Sequence, residues 1–256
     1  MTRQRLLDFN LTQVAHFEKP GHNPRMSPRP LACFERQIDT LFRVLDLDSS
    51  ARLLDVGCGM GRFTLPLLRR GVEVVGLELS PGLLEELQHH AQLWGLPEVR
   101  TYCADMSAPP AELHGQFDAV VGFFTLHHVH DLAACMRGTL ECVRPGGKVG
   151  FVEPNPWNPL YYLQISLTPG MSWKADAGIL KMRRRLIFRA MREAGLEPTD
   201  HLKFGFLPPA LSERGPLMGL DDFAERIRPL RPFLPFQVFA GQRPALDPTR
   251  RAVDGE

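Results

Sequence analysis

What this sequence lacks narrows its class before any motif is read. Its cysteines are few and odd in number, five among 256 residues, and none stands in C-x-x-C spacing. That excludes a disulfide frame and a zinc site of the usual spacing, and points to reduced thiols in a cytoplasmic protein. Charge of either sign is not in excess: the formal net charge is +1. A duplex nucleic acid, which favours a basic surface, therefore has no electrostatic case as partner. No apolar run approaches the roughly 20 residues that span a bilayer. Residues 1–18 hold no unbroken apolar core, so no signal peptide is expected. Internal repeats are absent. What remains is a chain long enough to bury a sizeable core as one large domain. Its prolines gather at 20–30, 154–159, 208–216 and 229–248, which puts the irregular segments mostly outside any sheet.

The most informative stretch is 51–63. Leu53, Leu54 and Val56 read as a short buried strand with Asp55 near its end. Gly57, Gly59 and Gly61 then alternate with Cys58 and Met60. Glycine tolerates positive φ and lets a ligand approach the backbone. Phe63, Leu65, Leu67 and Leu68 turn the pattern helical, and Arg69-Arg70-Gly71 closes the helix. Strand, glycine turn and helix make a nucleotide-type site at the edge of a parallel sheet. A dinucleotide fingerprint would be G-x-G-x-x-G; here the third glycine comes one residue early. Cys58 reads as a small residue fitted to a tight loop, not a nucleophile. Farther on, 72–80 reads as a second buried strand ending in Glu78, an acid whose two oxygens suit a ribose diol. Ser80-Pro81 starts the next helix as N-cap and N1, and Gly95 ends it.

Asp55 followed by G-x-G-x-G resembles motif I of the class I S-adenosylmethionine-dependent methyltransferases, and the resemblance extends over roughly 31–206. It implies that Asp55, Gly57, Cys58, Gly59 and Gly61 wrap the methionine portion of S-adenosyl-L-methionine. Glu78, with Leu79 beside it, matches motif II and would bind the ribose; the family's commoner residue is aspartate. Past a third strand at 99–104, Asp105 would read the adenine amino group, with the Met106 backbone at the ring. A fourth strand at 116–124 runs into Thr125-Leu126-His127-His128, which resembles motif IV, and the backbone near Phe123 would contact the cofactor. His127 or His128 could be a general base towards a hydroxyl or amine; equally, one could cap the following helix and the other pack. Adjacent histidines point apart and no third ligand is evident, so a metal site is not expected. A helix at 132–143 ending in Arg144-Pro145-Gly146-Gly147 and a strand at 148–153 continue the pattern.

Around this frame the reading stays open at three places. Residues 9–30 are either a lid over the cofactor, as the resemblance suggests, or a loose arm. The proline-spaced stretch 154–159 predicts an extended, exposed path. With Trp157, Tyr161 and Tyr162 the segment either lines an apolar acceptor pocket, with Glu153 and Asn155 as polar contacts, or packs as an insertion. A helix over 177–194 buries Ile179, Met182, Leu186, Ile187, Ala190 and Ala194. Its outer face carries Lys181, Arg183, Arg184, Arg185, Arg189 and Arg192, a solvated face or one turned to a membrane, RNA or an acidic carrier. Strands at 199–206 and 236–240, the last antiparallel and slotted into the sheet, finish the fold. The expectation is an α/β, doubly wound, seven-stranded, mostly parallel sheet. An arm or lid occupies 1–30, the methyltransferase domain 31–243 with an insertion at 154–177, and a loose tail 244–256. The function implied is methyl transfer to a small apolar or aromatic acceptor such as a natural-product intermediate, quinone or lipid. A nicotinamide dehydrogenase, a binding protein without transfer and a macromolecule methyltransferase are the alternatives. The N-P-P-[YF] signature often seen in nitrogen methylation of bases is replaced here by Gly122-Phe123-Phe124-Thr125.

Overall fold

A computed structural model describes residues 10–15, 27–29, 31–162, 177–205 and 223–245. Helix α1 (Ala32–Leu45) precedes β1 (Arg52–Val56), α2 (Thr64–Arg69), β2 (Glu73–Glu78), α3 (Pro81–Leu93) and β3 (Thr101–Cys103). Then come β4 (Phe117–Phe123), α4 (Leu132–Cys142), β5 (Val143–Pro154), α5 (Arg184–Ala194), β6 (Glu197–Phe204) and β7 (Phe236–Gln242). The strands form one seven-stranded sheet in the order β3-β2-β1-β4-β5-β7-β6. Pairings among β1 to β5 are parallel, and β7 lies antiparallel between β5 and β6. This is the expected fold class.

Strands buried on both faces need helices on both faces, and two clusters supply the layers. On one face α1 lays Phe34, Ile38 and Leu41 on Leu53, Val121, Val152 and Val238. On the other, Met136 of α4 and Ile187 and Met191 of α5 pack on Val120, Phe151 and Phe239. The order of strands reverses between β1 and β4. The carboxyl ends of strands at such a reversal are where open α/β sheets bind their ligands.

Three local expectations are corrected. The segment Arg144-Pro145-Gly146-Gly147 is not a turn ahead of β5 but lies within it: Val143 pairs with Phe117, and a register shift between Phe117 and Ala119 absorbs the kink. The helix over 177–194 is broken. A 3-10 turn (Ala177–Lys181) ends before α5, because Gln237 Nε2 takes the Met182 carbonyl at 2.7 Å and Arg183 is extended. The break resets the helical phase, so Leu186 is exposed while Phe188 and Met191 are buried. Finally, 154–156 is not exposed: β5 runs through Pro154, and Asn155 is fully buried. Pro159 then opens a helical turn at 159–162, with Asn158 Oδ1 accepting the amides of Leu160 and Tyr161 at 2.8 and 3.2 Å. Proline at the first helical position loses no hydrogen bond. Residues 163–176, the remainder of the expected insertion, and 206–222 lie outside the described residues, as do most of 1–30 and the tail after 245.

Candidate active site

The glycine loop leaves β1 with φ of 72°, 52° and 91° at Gly57, Gly59 and Gly61. Gly57 and Gly59 serve different ends. A Cβ on Gly57 would strike the Thr125 side chain, so there the missing side chain lets β1 and β4 loops meet. A Cβ on Gly59 would meet nothing within 4 Å. There the left-handed backbone faces open space, and a side chain would fill that space without striking the protein. Cys58 is buried between them, and Gly76 of β2 makes room for its sulfur, 2.8 Å from where a Cβ would stand. Burial, with Asp55 and Glu78 nearby, pushes its thiol well above the ordinary range, so it is inert.

Two acids flank the loop. Asp55 is 2% exposed and accepts from Thr64 Oγ1 at 2.7 Å. Burial lifts its carboxyl to about 7, against the pull of the Thr64 hydrogen bond and aided by the charge on Glu78. Glu78 folds back on the backbone: Oε2 accepts from the Gly59 amide at 3.0 Å, and Oε1 from the Leu79 and Ser80 amides at 2.7 and 3.1 Å. Burial raises its pKa too, and these amides oppose the shift. A carboxylate has about four lone-pair sites, so with three amides bound Oε2 keeps room for one hydroxyl of a diol. The residues present thus fit S-adenosylmethionine: a glycine loop facing open space, a buried carboxyl that a nearby cation would hold ionised, and a carboxylate fixed by amides.

Asp105, past β3, accepts from the Ser107 amide at 2.8 Å and from Asn10 Nδ2 at 2.6 Å. Asn10 belongs to the helical turn 10–15, so a piece of the N-terminal segment reaches the expected adenine position. Met106 is buried against α4, where Gly138 abuts its carbonyl.

At the end of β4, Phe123 is buried and stacks on Phe63 with centroids 4.1 Å apart. Thr125 is the joint. Its hydroxyl donates to the carbonyls of Val56 and Phe123 at 3.1 and 3.3 Å, and its amide donates to Glu153 Oε1 at 2.8 Å. That oxygen also accepts the Leu126 amide at 2.6 Å, while Oε2 lies 2.7 Å from His127 Nδ1. Glu153 is fully buried, and burial lifts its carboxyl to about 8 against those amides and the charge of His128. His127 is buried under Gly178, and the half-buried His128 ring leans on it at 43° with centroids 3.9 Å apart. A glutamate fixing a histidine whose ring supports a second is an arrangement able to hold or pass a proton.

The expected acceptor contacts are scattered. Glu153 points at His127. Asn155 Nδ2 donates to the carbonyls of Pro232 and Leu234 at 2.8 and 2.7 Å, clamping β5 to the segment before β7. Trp157 is 57% exposed and carries the Arg183 guanidinium 5.6 Å from its ring centre. Tyr161 is half-buried with its amide on Asn158. Thr64, Phe124 and Thr125 touch Asp55, Phe63 and Glu153 without being expected from the sequence; a threonine in the first turn after the glycine loop is a signal available for Thr64.

The comparisons bear on the family and the fold. A family described as a methyltransferase domain matches residues 53–147. The ubiquinone biosynthesis O-methyltransferase of Ruegeria pomeroyi is 34% identical over 164 residues, covering 61% of this chain and 64% of that one. The enzyme of the same name from Cereibacter sphaeroides is 34% identical over 205 residues, 74% of this chain and 78% of that one. A 23S rRNA (uracil(1939)-C(5))-methyltransferase of Alkalilimnicola ehrlichii is 37% identical over 112 residues, 40% of this chain. The chain thus spans just under two thirds of the first of these relatives and 25% of the ribosomal RNA enzyme. Among solved structures, a geranyl diphosphate methyltransferase superposes with a TM-score of 0.62 over 92% of this chain and 99% of that one, at 19% identity, which speaks for the fold.

Proposed function

This chain belongs to the class I S-adenosylmethionine-dependent methyltransferases, and from that premise we propose that it methylates a hydroxyl of a small, apolar, aromatic acceptor of the quinol type. Bound S-adenosylmethionine supplies a sulfonium methyl group that is electrophilic by itself. The chain's share is to hold, align and exclude water, and alignment alone can supply several kcal/mol of the barrier. Asp55 and the 57–61 loop hold the methionine end, Glu78 with Leu79 the ribose, and Asp105, Met106 and the Phe123 backbone the adenine side. For a hydroxyl acceptor, His128 takes the proton, and His127, fixed by Glu153, orients it.

The observation that carries this reading is the joint at Thr125. Its hydroxyl reaches the end of β1 and its amide reaches Glu153, so the glycine loop and the histidine pair hang on one strand end. The two ubiquinone biosynthesis relatives support a quinol-like acceptor. The net charge of +1 favours a small molecule over nucleic acid, and the ribosomal RNA relative matches over a minor part of its own length. No helix of the described residues is long and apolar enough to cross a membrane. All five cysteines are free, which supports a cytoplasmic setting. The 10–15 turn at Asp105 supports the lid reading of the N-terminal segment.

The test is methyl transfer from labelled S-adenosylmethionine to a panel of catechols, hydroquinones and aliphatic alcohols, with total RNA as a further acceptor. Product carrying one added methyl on a phenolic oxygen, lost in His128→Ala with cofactor affinity intact, is the expected outcome. Label appearing in RNA and in none of the phenols contradicts it.

A further inference from the structure

Phe124 stands where the chain leaves β4 for Thr125 and the two histidines, and its φ is 58°. Among the described residues the other non-glycine at positive φ is Asp46. Asp46 is the C-cap of α1, where a left-handed residue is a common helix ending and a short polar side chain tolerates it. A phenylalanine has no such tolerance.

The conformation has a consequence in space. Successive side chains of a strand point to opposite faces, yet Phe123 and Phe124 both pack on the α1 face of the sheet. Phe63 stacks on Phe123 and also meets Phe124, with centroids 5.9 Å apart. Phe236, at the start of β7, meets Phe124 edge-on at 5.7 Å. The left-handed residue thus sets a second phenyl ring beside the first at the carboxyl end of β4. Phe123 is buried whereas Phe124 is only partly covered. The backbone is held firmly there: the Phe124 amide donates to the Val152 carbonyl at 2.8 Å, and the Thr125 amide is on Glu153. A glycine or asparagine would take the same backbone path without strain. Strain of this kind in a bulky residue gathers at functional sites.

We infer that Phe124 determines acceptor specificity: its ring is one wall of the acceptor site and receives the face or edge of a planar aromatic acceptor, with Phe236 behind it. Ring pairs favour offset-stacked and edge-on contacts, which an aliphatic alcohol of the same size cannot make. The inference rests on the methyltransferase reading above and adds to it the residue that selects for an aromatic ring.

The experiment is a titration of wild type, Phe124→Leu and Phe124→Gly. S-adenosylhomocysteine is added first, then either catechol or trans-1,2-cyclohexanediol, two diols that differ in the π face. Wild type should bind catechol roughly two- to tenfold more tightly than the cyclohexane diol, the range expected of one ring pair. That preference should vanish in both variants while S-adenosylhomocysteine affinity stays. Phe124→Gly should keep its thermal midpoint, since relief of the backbone offsets lost packing. A preference that survives in Phe124→Leu overturns the inference, as does a folded, cofactor-bound wild type that shows no preference or binds neither diol. A Phe124→Gly variant that unfolds many degrees lower with the preference intact in Phe124→Leu would assign the ring to packing. Failure of wild type to bind S-adenosylhomocysteine is a different result: it removes the methyltransferase reading itself, and this inference with it.

Discussion

At the scale of single residues, the site depends on carboxylates in three different settings. Glu78 is held by three amides and has capacity left on Oε2 for one hydroxyl donor. Hydrogen bonds to a charged group contribute about 1.5–3 kcal/mol. Glu78→Ala should therefore weaken cofactor binding by roughly 10- to 100-fold, read by calorimetry on a variant whose thermal midpoint is also measured. Glu153 has a different task, fixing His127 from a fully buried position. Glu153→Gln keeps an oxygen for the Thr125 and Leu126 amides but removes the titratable group beside the imidazole. Turnover should fall by about 10²-fold, the range of general-base contributions, with cofactor affinity unchanged and the pH–rate profile displaced. Equal losses in turnover and cofactor binding would mean that Glu153 only supports the loop. Asp55 and Glu78 were legible in the sequence because each is an acid at the end of an apolar strand, a position chemistry can use and packing does not favour. Glu153 sits at such an end too, but its burial against His127 depends on β4 and β5 lying side by side. Phe124 was illegible: backbone strain in a residue that does not prefer it, costing on the order of 1–3 kcal/mol, leaves no mark on composition.

At the scale of elements, the glycine loop separates two roles that the sequence presents as one repeat. Gly57→Ala forces a side chain into Thr125 at a φ of 72° and should destabilise the fold by at least ~2 kcal/mol. Gly59→Ala meets no neighbour and should cost the fold about 1 kcal/mol for its backbone, yet impair cofactor binding far more. Thermal melts beside calorimetry distinguish the two; equal effects on stability would contradict the separate roles. Strand and helix positions from 52 to 142 were legible because buried apolar runs alternate with capped helices, as with Ser80, whose hydroxyl accepts from Leu83 at 3.2 Å. The break before α5 was not, since no glycine or proline marks residues 182 and 183. A side chain from β7, Gln237, takes the Met182 carbonyl out of the helix, and a contact made across the fold has no local signal.

At the scale of the whole molecule, the sheet places two buried carboxyls of raised pKa, Asp55 near 7 and Glu153 near 8, on one edge. In each case the folded state binds its proton more tightly than the unfolded chain, whose values are near 4. The folding free energy these groups contribute is fully present below pH 4. It is lost as pH rises through 7 and 8, because ionising them in place is costly. The protein without cofactor should therefore melt lower at pH 8.5 than at pH 6. The cationic end of S-adenosylmethionine offsets the buried charge of Asp55, so the melting shift produced by the cofactor should be larger at pH 8 than at pH 6; a shift independent of pH would place Asp55 outside the cofactor contact. The strand order, with β7 antiparallel between β5 and β6, was legible only through the family resemblance, since no pattern within the chain specifies which strands become neighbours. Every functional step above depends on a cofactor site at the carboxyl ends of β1 and β4. Its most direct test is isothermal titration of wild type and Glu78→Ala with S-adenosylhomocysteine. Micromolar binding to wild type, lost or weakened by at least tenfold in a folded Glu78→Ala, is the predicted result; a folded wild type that binds no S-adenosylhomocysteine, or a variant that binds it as wild type does, would contradict the account.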